Sequence, residues 1–192
     1  MCKESRLLLF NCSHEMALAA NVKQYFPPKN IQQMEADLCL LPLWWAEEGD
    51  AIVVDDVAEA QAFAREWGGV LPDVVFTTWA EGYDALRNRE GRDFVPSPWG
   101  WNMTVAERFR RYGVPSELIP DDTELAELRR MASREFVCSD SFAGLYGVSS
   151  HVVSHVPEFA SSLNFPVPTG TDKLIFKSPW SSSGRGVFVA DV

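Results

Sequence analysis

Two stretches of this chain carry residues that could do chemistry. The first runs from Lys173 to Asp191. Leu174, Ile175 and Phe176 make one apolar strand core, and Val187, Phe188 and Val189 make another. Between them stand Lys177, Ser178, Pro179, Trp180, Ser181, Ser182, Ser183, Gly184, Arg185 and Gly186. Small residues let backbone N–H groups approach a ligand closely, and a run of such groups forms an anion-binding concavity. Lys177 and Arg185 add positive charge at its mouth. The pattern predicts a strand–loop–strand hairpin that grips phosphate. The bland alternative is a surface hairpin with a serine-rich turn.

The second stretch is Asn11, Cys12, Ser13, His14 and Glu15, a polar cluster directly after the apolar run Leu7 to Phe10. If that run is a central strand of an open α/β sheet, the cluster lies at its carboxyl end, where such sheets bind ligands. Ser13 is also placed to cap a short helix that turns Met16, Ala17 and Ala20 to the core. His14 could donate a hydrogen bond or serve as an acid or base near neutral pH. Asn21 joins this cluster as a candidate substrate contact.

Other chemistries find less support. The segment after Gly186 reads as strand, and no Gly-x-x-x-x-Gly-Lys-Ser/Thr is present, so the serine-rich loop is not a P-loop. Kinases cover phosphates with a Gly-rich hairpin, but no catalytic-loop signature accompanies this one. His151 and His155 stand four apart, yet the residues between them supply no acidic general base, and both read as ordinary histidines. Cys2, Cys12, Cys39 and Cys138 form no CxxC pair, so no metal site is expected.

The elements that must position these residues follow an alternating pattern. Strands are expected at Arg6 to Asn11, Ala51 to Val54, Asp73 to Thr78 and, very short, Phe94 to Val95. Asn30 reads as the cap of a helix from Ile31 to Leu41. Asp55 and Asp56 open another through Glu66, with Val57, Ala60, Phe63, Ala64 and Trp67 on one face. No Gly-x-Gly-x-x-Gly follows the first strand, so these two acids read as helix-start charges and not as ribose ligands. Glu81 to Arg89 is a further short helix. Alternation of this kind predicts a small parallel sheet covered by helices over residues 1–98. Beyond the stiff junction at Pro96 to Trp101, Asn102 caps Met103 to Tyr112. That helix turns Val105, Phe109 and Tyr112 inward and Arg108, Arg110 and Arg111 largely outward. Asp121 or Asp122 caps a helix through Ala132, with Leu125, Leu128 and Met131 on one face. Residues 133–146 continue as helix around Phe136, Phe142 and Leu145. The Trp44–Trp45 pair is expected in the core or at an interface.

Composition narrows the class. Hydrophobic residues are 46% and charged residues 23% of 192, a balance that argues against wholesale disorder. A net charge of −10 argues against a nucleic-acid or anionic-membrane surface over the whole chain, while leaving room for a local basic site. The apolar run after Arg6 is too short for a signal peptide, and no stretch reaches the length of a membrane span. Widely spaced cysteines suit reduced thiols and a cytoplasmic location.

Set in order, Ile175, Phe176, Lys177, Ser178 and Pro179, then Ser181 to Val187, resemble the core motif of ATP-grasp enzymes. In that motif a strand ends in Lys, often followed by Pro, and a Gly- and Ser-rich loop leads to a second strand. The resemblance extends to the order of parts. It implies an α/β fold with a Rossmann-like pre-ATP-grasp domain at 1–98, a helical connector at 99–170, and the first strands and phosphate loop of an α+β ATP-grasp domain at 171–192. It implies that Lys177 contacts ATP near the adenine and α-phosphate, and that Ser181, Ser182, Ser183, Gly184, Arg185 and Gly186 close over the β- and γ-phosphates. Arg134 or Lys173 would supply an earlier basic contact. It further implies a longer parent protein that uses ATP with Mg²⁺, whose metal ligands follow Val192. The 192-residue chain alone is then expected to be inactive and to bind no cofactor tightly. The implied activity is a carboxylate–amine ligase working through an acyl phosphate on a small-molecule or peptide carboxylate. Asn11, Ser13, His14, Glu15 and Asn21 are the expected substrate contacts. The competing expectation is a non-enzymatic α/β interaction or regulatory domain that associates through its terminal hairpin. The Trp44–Trp45 and Trp99–Trp101 clusters would then form its apolar patch, with a homodimer as one form.

Overall fold

Leu7, Leu8, Ile52 and Phe94 are shielded almost completely from solvent, as the strands of a helix-covered parallel sheet require. The computed structural model describes residues 4–138, 151–153, 166–167, 169–180 and 186–191. Strands β1 (Ser5–Leu9), β2 (Ala51–Val53), β3 (Val75–Thr77) and β4 (Phe94–Pro98) form a parallel sheet in the order β3-β2-β1-β4. Helices α1 (His14–Ala20), α2 (Lys29–Asp37), α3 (Val57–Glu66), α4 (Tyr83–Glu90) and α5 (Met103–Tyr112) flank it, and α6 (Asp122–Ala132) follows. Strands β5 (Lys173–Lys177) and β6 (Val187–Asp191) make a separate antiparallel hairpin. The fold is α/β with a four-stranded parallel sheet and a small hairpin, as the alternation predicts. Among the described residues no helix is long and apolar enough to cross a membrane.

The chain divides into two compact units, Met1–Leu125 and Ala126–Val192. The first reaches past the boundary near residue 98 that the sequence suggests, because α5 buries Val105, Ala106, Phe109 and Tyr112. Phe109 is 0% exposed and meets the rings of Trp79 and Trp101 at 5.4 and 5.5 Å. On the other elements Leu8, Leu43, Ile52, Val54, Ala60 and Phe76 form one hydrophobic cluster.

Local chemistry sets the helix ends. Asp56 Oδ1 accepts from the N–H groups of Ala58 (2.8 Å) and Glu59 (3.0 Å) at the start of α3. Asn102 Oδ1 accepts from Val105 N–H at 3.0 Å, and α5 ends at Gly113, whose φ of 96° favours glycine. Asp121 and Glu124 form a reciprocal capping box. Asp121 Oδ1 accepts from Thr123 and Glu124 N–H, each at 2.8 Å, and Glu124 Oε2 accepts from Asp121 N–H at 2.9 Å.

Several expectations are corrected. β4 runs five residues and includes Pro96 and Pro98, because it lies at the sheet edge, where a missing N–H is tolerated. The Tyr83 hydroxyl donates to Phe94 O (2.9 Å) and accepts from Phe94 N–H (3.1 Å), satisfying both backbone groups at the start of this strand. Helix α2 starts after Pro28, with Asn30 inside its first turn, and it buries no residue fully. Ser13 makes no side-chain cap, and α1 buries Ala17 and Leu18 while Ala20 is exposed. Met131 is exposed, and residues 134–138 form a 3-10 turn instead of extending α6. Trp44 and Trp45 are exposed, edge-on or tilted against Trp67 and Trp99, which removes the core half of their expected place and leaves the interface half untouched. Phe142, Leu145 and His155 lie outside the described residues.

Candidate functional site

β2 and β3 are added on one side of β1 and β4 on the other, so the order of strands switches between β1 and β4, the position where open α/β sheets leave a crevice at their carboxyl ends. Here that position is fastened by polar bonds. The buried Asn11 donates from Nδ2 to Gly100 O at 2.9 Å and accepts at Oδ1 from Gly100 N–H at 3.2 Å. Trp99 N–H donates to Leu9 O at 2.7 Å. A Cβ at residue 100 would lie 2.3–2.4 Å from the His14 ring, so a side chain there displaces the imidazole.

His14 belongs to this fastening. Its Nδ1 lies 3.3 Å from Asn102 Nδ2. The Oδ1 of Asn102 is committed to the Val105 N–H, so the amide faces His14 with its donor. That arrangement suits a bare Nδ1 and a proton on Nε2. Burial pushes the His14 pKa below its ordinary value, while the Glu15 charge and a Gly100 backbone contact pull in the opposite direction.

A cavity of about 540 Å³ adjoins the fastening at the carboxyl ends of β1 and β2. Leu9 to Asn11 and Val53 to Asp55 form its floor, α2 and α5 contribute walls, and Tyr25 and Phe26 add aromatic surface. Arg108 of α5 lies in the wall with its guanidinium carbon 4.3 Å from the Trp79 ring centroid. It is open to solvent, and no carboxylate of the described residues comes within ion-pair distance of it. Partial burial of the guanidinium against its neighbours lowers its pKa, and the charges of Glu35 and Asp55 act in the opposite sense. Glu35 Oε1 accepts from Ser13 N–H (3.0 Å) and Ser13 Oγ (2.7 Å), so Ser13 orients a carboxylate. Arg111 is paired with Glu107 at 3.0 Å.

The cavity is suited to binding more than to nucleophilic attack. Burial, and then the charge of Asp55, raise the pKa of the Cys39 thiol in its wall. Burial, and then Glu35, do the same to Cys12. Both are poor thiolates at neutral pH.

The residues singled out from sequence separate in space. Asn11 and Ser13 line the cavity. His14 packs at the fastening, Glu15 is exposed, and Asn21 ends α1 in the left-handed region at φ 52°, its N–H bonded to Ala17 O. None of these three is among the lining residues. Sequence reasoning passed over Arg108, Trp79, Glu35 and Asp55. Asp55 carried a signal, an acid directly after the second strand, but the missing glycine motif turned the reading toward a helix start. Asp56 alone does the capping.

In the second unit Lys177 is exposed at the end of β5. Ser178 N–H donates to Gly186 O at 2.7 Å and closes the base of the loop, and Gly186 has φ 63°. Arg134 donates from Nη1 to Ser178 O at 2.7 Å and from its backbone N–H to Pro179 O at 2.8 Å. Arg129 stacks 3.8 Å from the Trp180 ring centroid. Three basic residues thus gather where the loop begins. Ser181, Ser182, Ser183, Gly184 and Arg185 lie outside the described residues. Among the described residues no group of three His, Cys, Asp or Glu side chains could hold a metal ion.

Compared with protein-family models, curated proteins and solved structures, the chain matches none. The functional reading therefore rests on the motif, the fold and these two sites.

Proposed function

We propose that the protein is an ATP-grasp-like component of an ATP-dependent ligase that joins a carboxylate to an amine. In this reading the hairpin unit holds nucleotide phosphates and the first unit selects a substrate. The observation that supports it is the basic cluster at the loop base, with Arg134 bonded to the backbone of Ser178 and Pro179 and Lys177 one residue away. Lys177 offers a point charge to a phosphate, and Arg134 holds the backbone that leads into the serine-rich loop. ATP, when bound, supplies the phosphoryl group that activates a carboxylate. The described residues fit a phosphate but include no acidic trio for Mg²⁺, so no step is assigned to the metal.

Lysine modification followed by mass spectrometry tests this. Mg-ATP is expected to protect Lys177, and Arg134→Ala to abolish the protection. Equal labelling of Lys177 with and without saturating Mg-ATP overturns the reading.

The exposure of the hairpin favours a second reading. Ile175, Phe188 and Val189 are 63%, 54% and 60% exposed, and a two-stranded sheet is marginally stable by itself. Such a surface suits association with another chain. A stable dimer in sedimentation, unchanged by nucleotide, supports association in place of nucleotide binding.

A further inference from the structure

The cavity of the first unit is lined by four charged side chains that form no ion pair among the described residues: Arg108, Lys23, Glu35 and Asp55. We infer that this cavity binds a small zwitterion, an α-amino acid with a bulky apolar side chain, with its carboxylate on Arg108 and its ammonium toward Glu35 and Asp55. That such a ligand is a substrate rests on the ligase reading; that it binds does not.

Three observations select this class. The first is the balance of sign. Beside the Arg111–Glu107 pair, two further cations and two further anions line one cavity, and Glu35 and Asp55 are close enough to act on Arg108. A phosphate or dicarboxylate would meet both acids, and a simple amine would meet both bases, so like charges oppose either. A ligand carrying one charge of each sign satisfies both pairs. The second is the state of Arg108. Its guanidinium carbon lies 4.3 Å from the Trp79 ring centroid, a contact that restrains the group and leaves N–H donors to take a carboxylate in bidentate fashion. No hydrogen-bond donor of the described residues reaches the Asp55 carboxylate, which leaves an acceptor for the ammonium. The third is size and lining. A cavity of about 540 Å³ falls in the range of small-molecule sites, and Phe10, Tyr25 and Phe26 offer an aromatic wall to an apolar side chain.

The test is calorimetry on the full chain without nucleotide. Phenylalanine is compared with phenylpropionate, which lacks the ammonium, and phenethylamine, which lacks the carboxylate. Phenylalanine is expected to bind at least about tenfold more tightly than either analogue. Arg108→Met is expected to weaken phenylalanine by about tenfold or more. Asp55 is exposed, so Asp55→Asn keeps the fold and probes the other end of the ligand. It should weaken phenylalanine and leave phenylpropionate unchanged. Phenylpropionate binding as tightly as phenylalanine overturns the proposal, as does the absence of heat from phenylalanine and leucine at millimolar concentration. Binding here with no protection of Lys177 by Mg-ATP breaks the ligase reading alone, and protection without binding breaks the zwitterion proposal alone.

Discussion

Ile52 and Ile175 each sit in the middle of a short apolar strand, yet Ile52 is 0% exposed and Ile175 is 63% exposed. The difference lies in their neighbours. β2 is hydrogen-bonded between β1 and β3, and the sheet is flanked by helices, whereas among the described residues β5 pairs only with β6. Strand propensity brings residues into an extended backbone, but burial needs a second layer. The functional contrast follows. In the first unit packed elements hold Trp79 and Arg108 at a cavity wall. In the second, a hairpin with exposed apolar side chains carries hydrogen bonds from Ser178 to Gly186 and from Arg134 to Ser178 and Pro179.

The sharpest way to break this contrast is to remove matched apolar groups. Phe109→Ala deletes a ring packed against Trp79 and Trp101 and is expected to cost about 3–5 kcal/mol in urea unfolding followed by tryptophan fluorescence. A cost below about 1 kcal/mol would show that α5 is not part of the first unit's core. Gly100→Ala comes next, at about 1–3 kcal/mol, since its Cβ would lie 2.3–2.4 Å from the His14 ring. The penalty should shrink when His14→Ala is also present. Additive costs in that double-mutant cycle would mean that the contact does not limit residue 100.

Asp55 and Asp56 sharpen the comparison within one unit. Asp56→Ala removes the side chain that accepts from Ala58 and Glu59, and is expected to cost about 1 kcal/mol of thermal or denaturant stability. Asp55→Ala should stay within about 0.5 kcal/mol, because Asp55 is exposed at the cavity and makes no helix cap. Equal costs for the two would return Asp55 to a purely structural role.

This pair also marks how far the sequence reaches. Apolar runs and caps are local, so β1, β2, α3 and α5 with Asn102 are legible from spacing alone. β4 reads short from sequence because prolines disfavour a strand in general, and nothing local announces that an edge position excuses them. The site is less legible for a related reason. Asn11 and Ser13 could be placed because they follow a strand directly. Arg108 reaches the same cavity from a helix nearly a hundred residues later, and helical periodicity marks it only as pointing away from the core. Which outward arginines face open solvent and which face a cavity is a tertiary fact.

Acid titration separates the fastening from the rest of the molecule. Burial lowers the pKa of His14, so the folded chain binds this proton less readily than the unfolded chain. Its contribution to stability is complete above the unfolded value, about 6.5, and is lost as pH falls through the lower folded value. Glu81 acts further down. Burial raises its pKa, but hydrogen bonds from Arg89 and Thr77 and the Arg89 charge outweigh that and leave it depressed. Its contribution is present above the ordinary carboxylate value, about 4.3, and is lost as pH falls through the folded one. In Tm measured against pH, His14→Asn should flatten the first limb and spare the second. A first limb unchanged in that variant would place its origin elsewhere.

The smallest expected effect tests the hairpin most directly. Ile175→Ala removes a side chain that is mostly in water, so its cost should stay within about 0.5 kcal/mol. Its cross-strand partner Val189 is equally open, so little packing is lost on that face. A measured cost above about 1 kcal/mol, rising with protein concentration, would mean that this face is covered in solution, since only an associated state makes stability depend on concentration. Ile175→Asp then becomes the discriminating variant. In an associating protein it places a charge in the interface and shifts sedimentation to the monomer. In a nucleotide-binding hairpin it leaves both sedimentation and the protection of Lys177 unchanged, because residue 175 lies two positions before Lys177 on the strand, outside the loop.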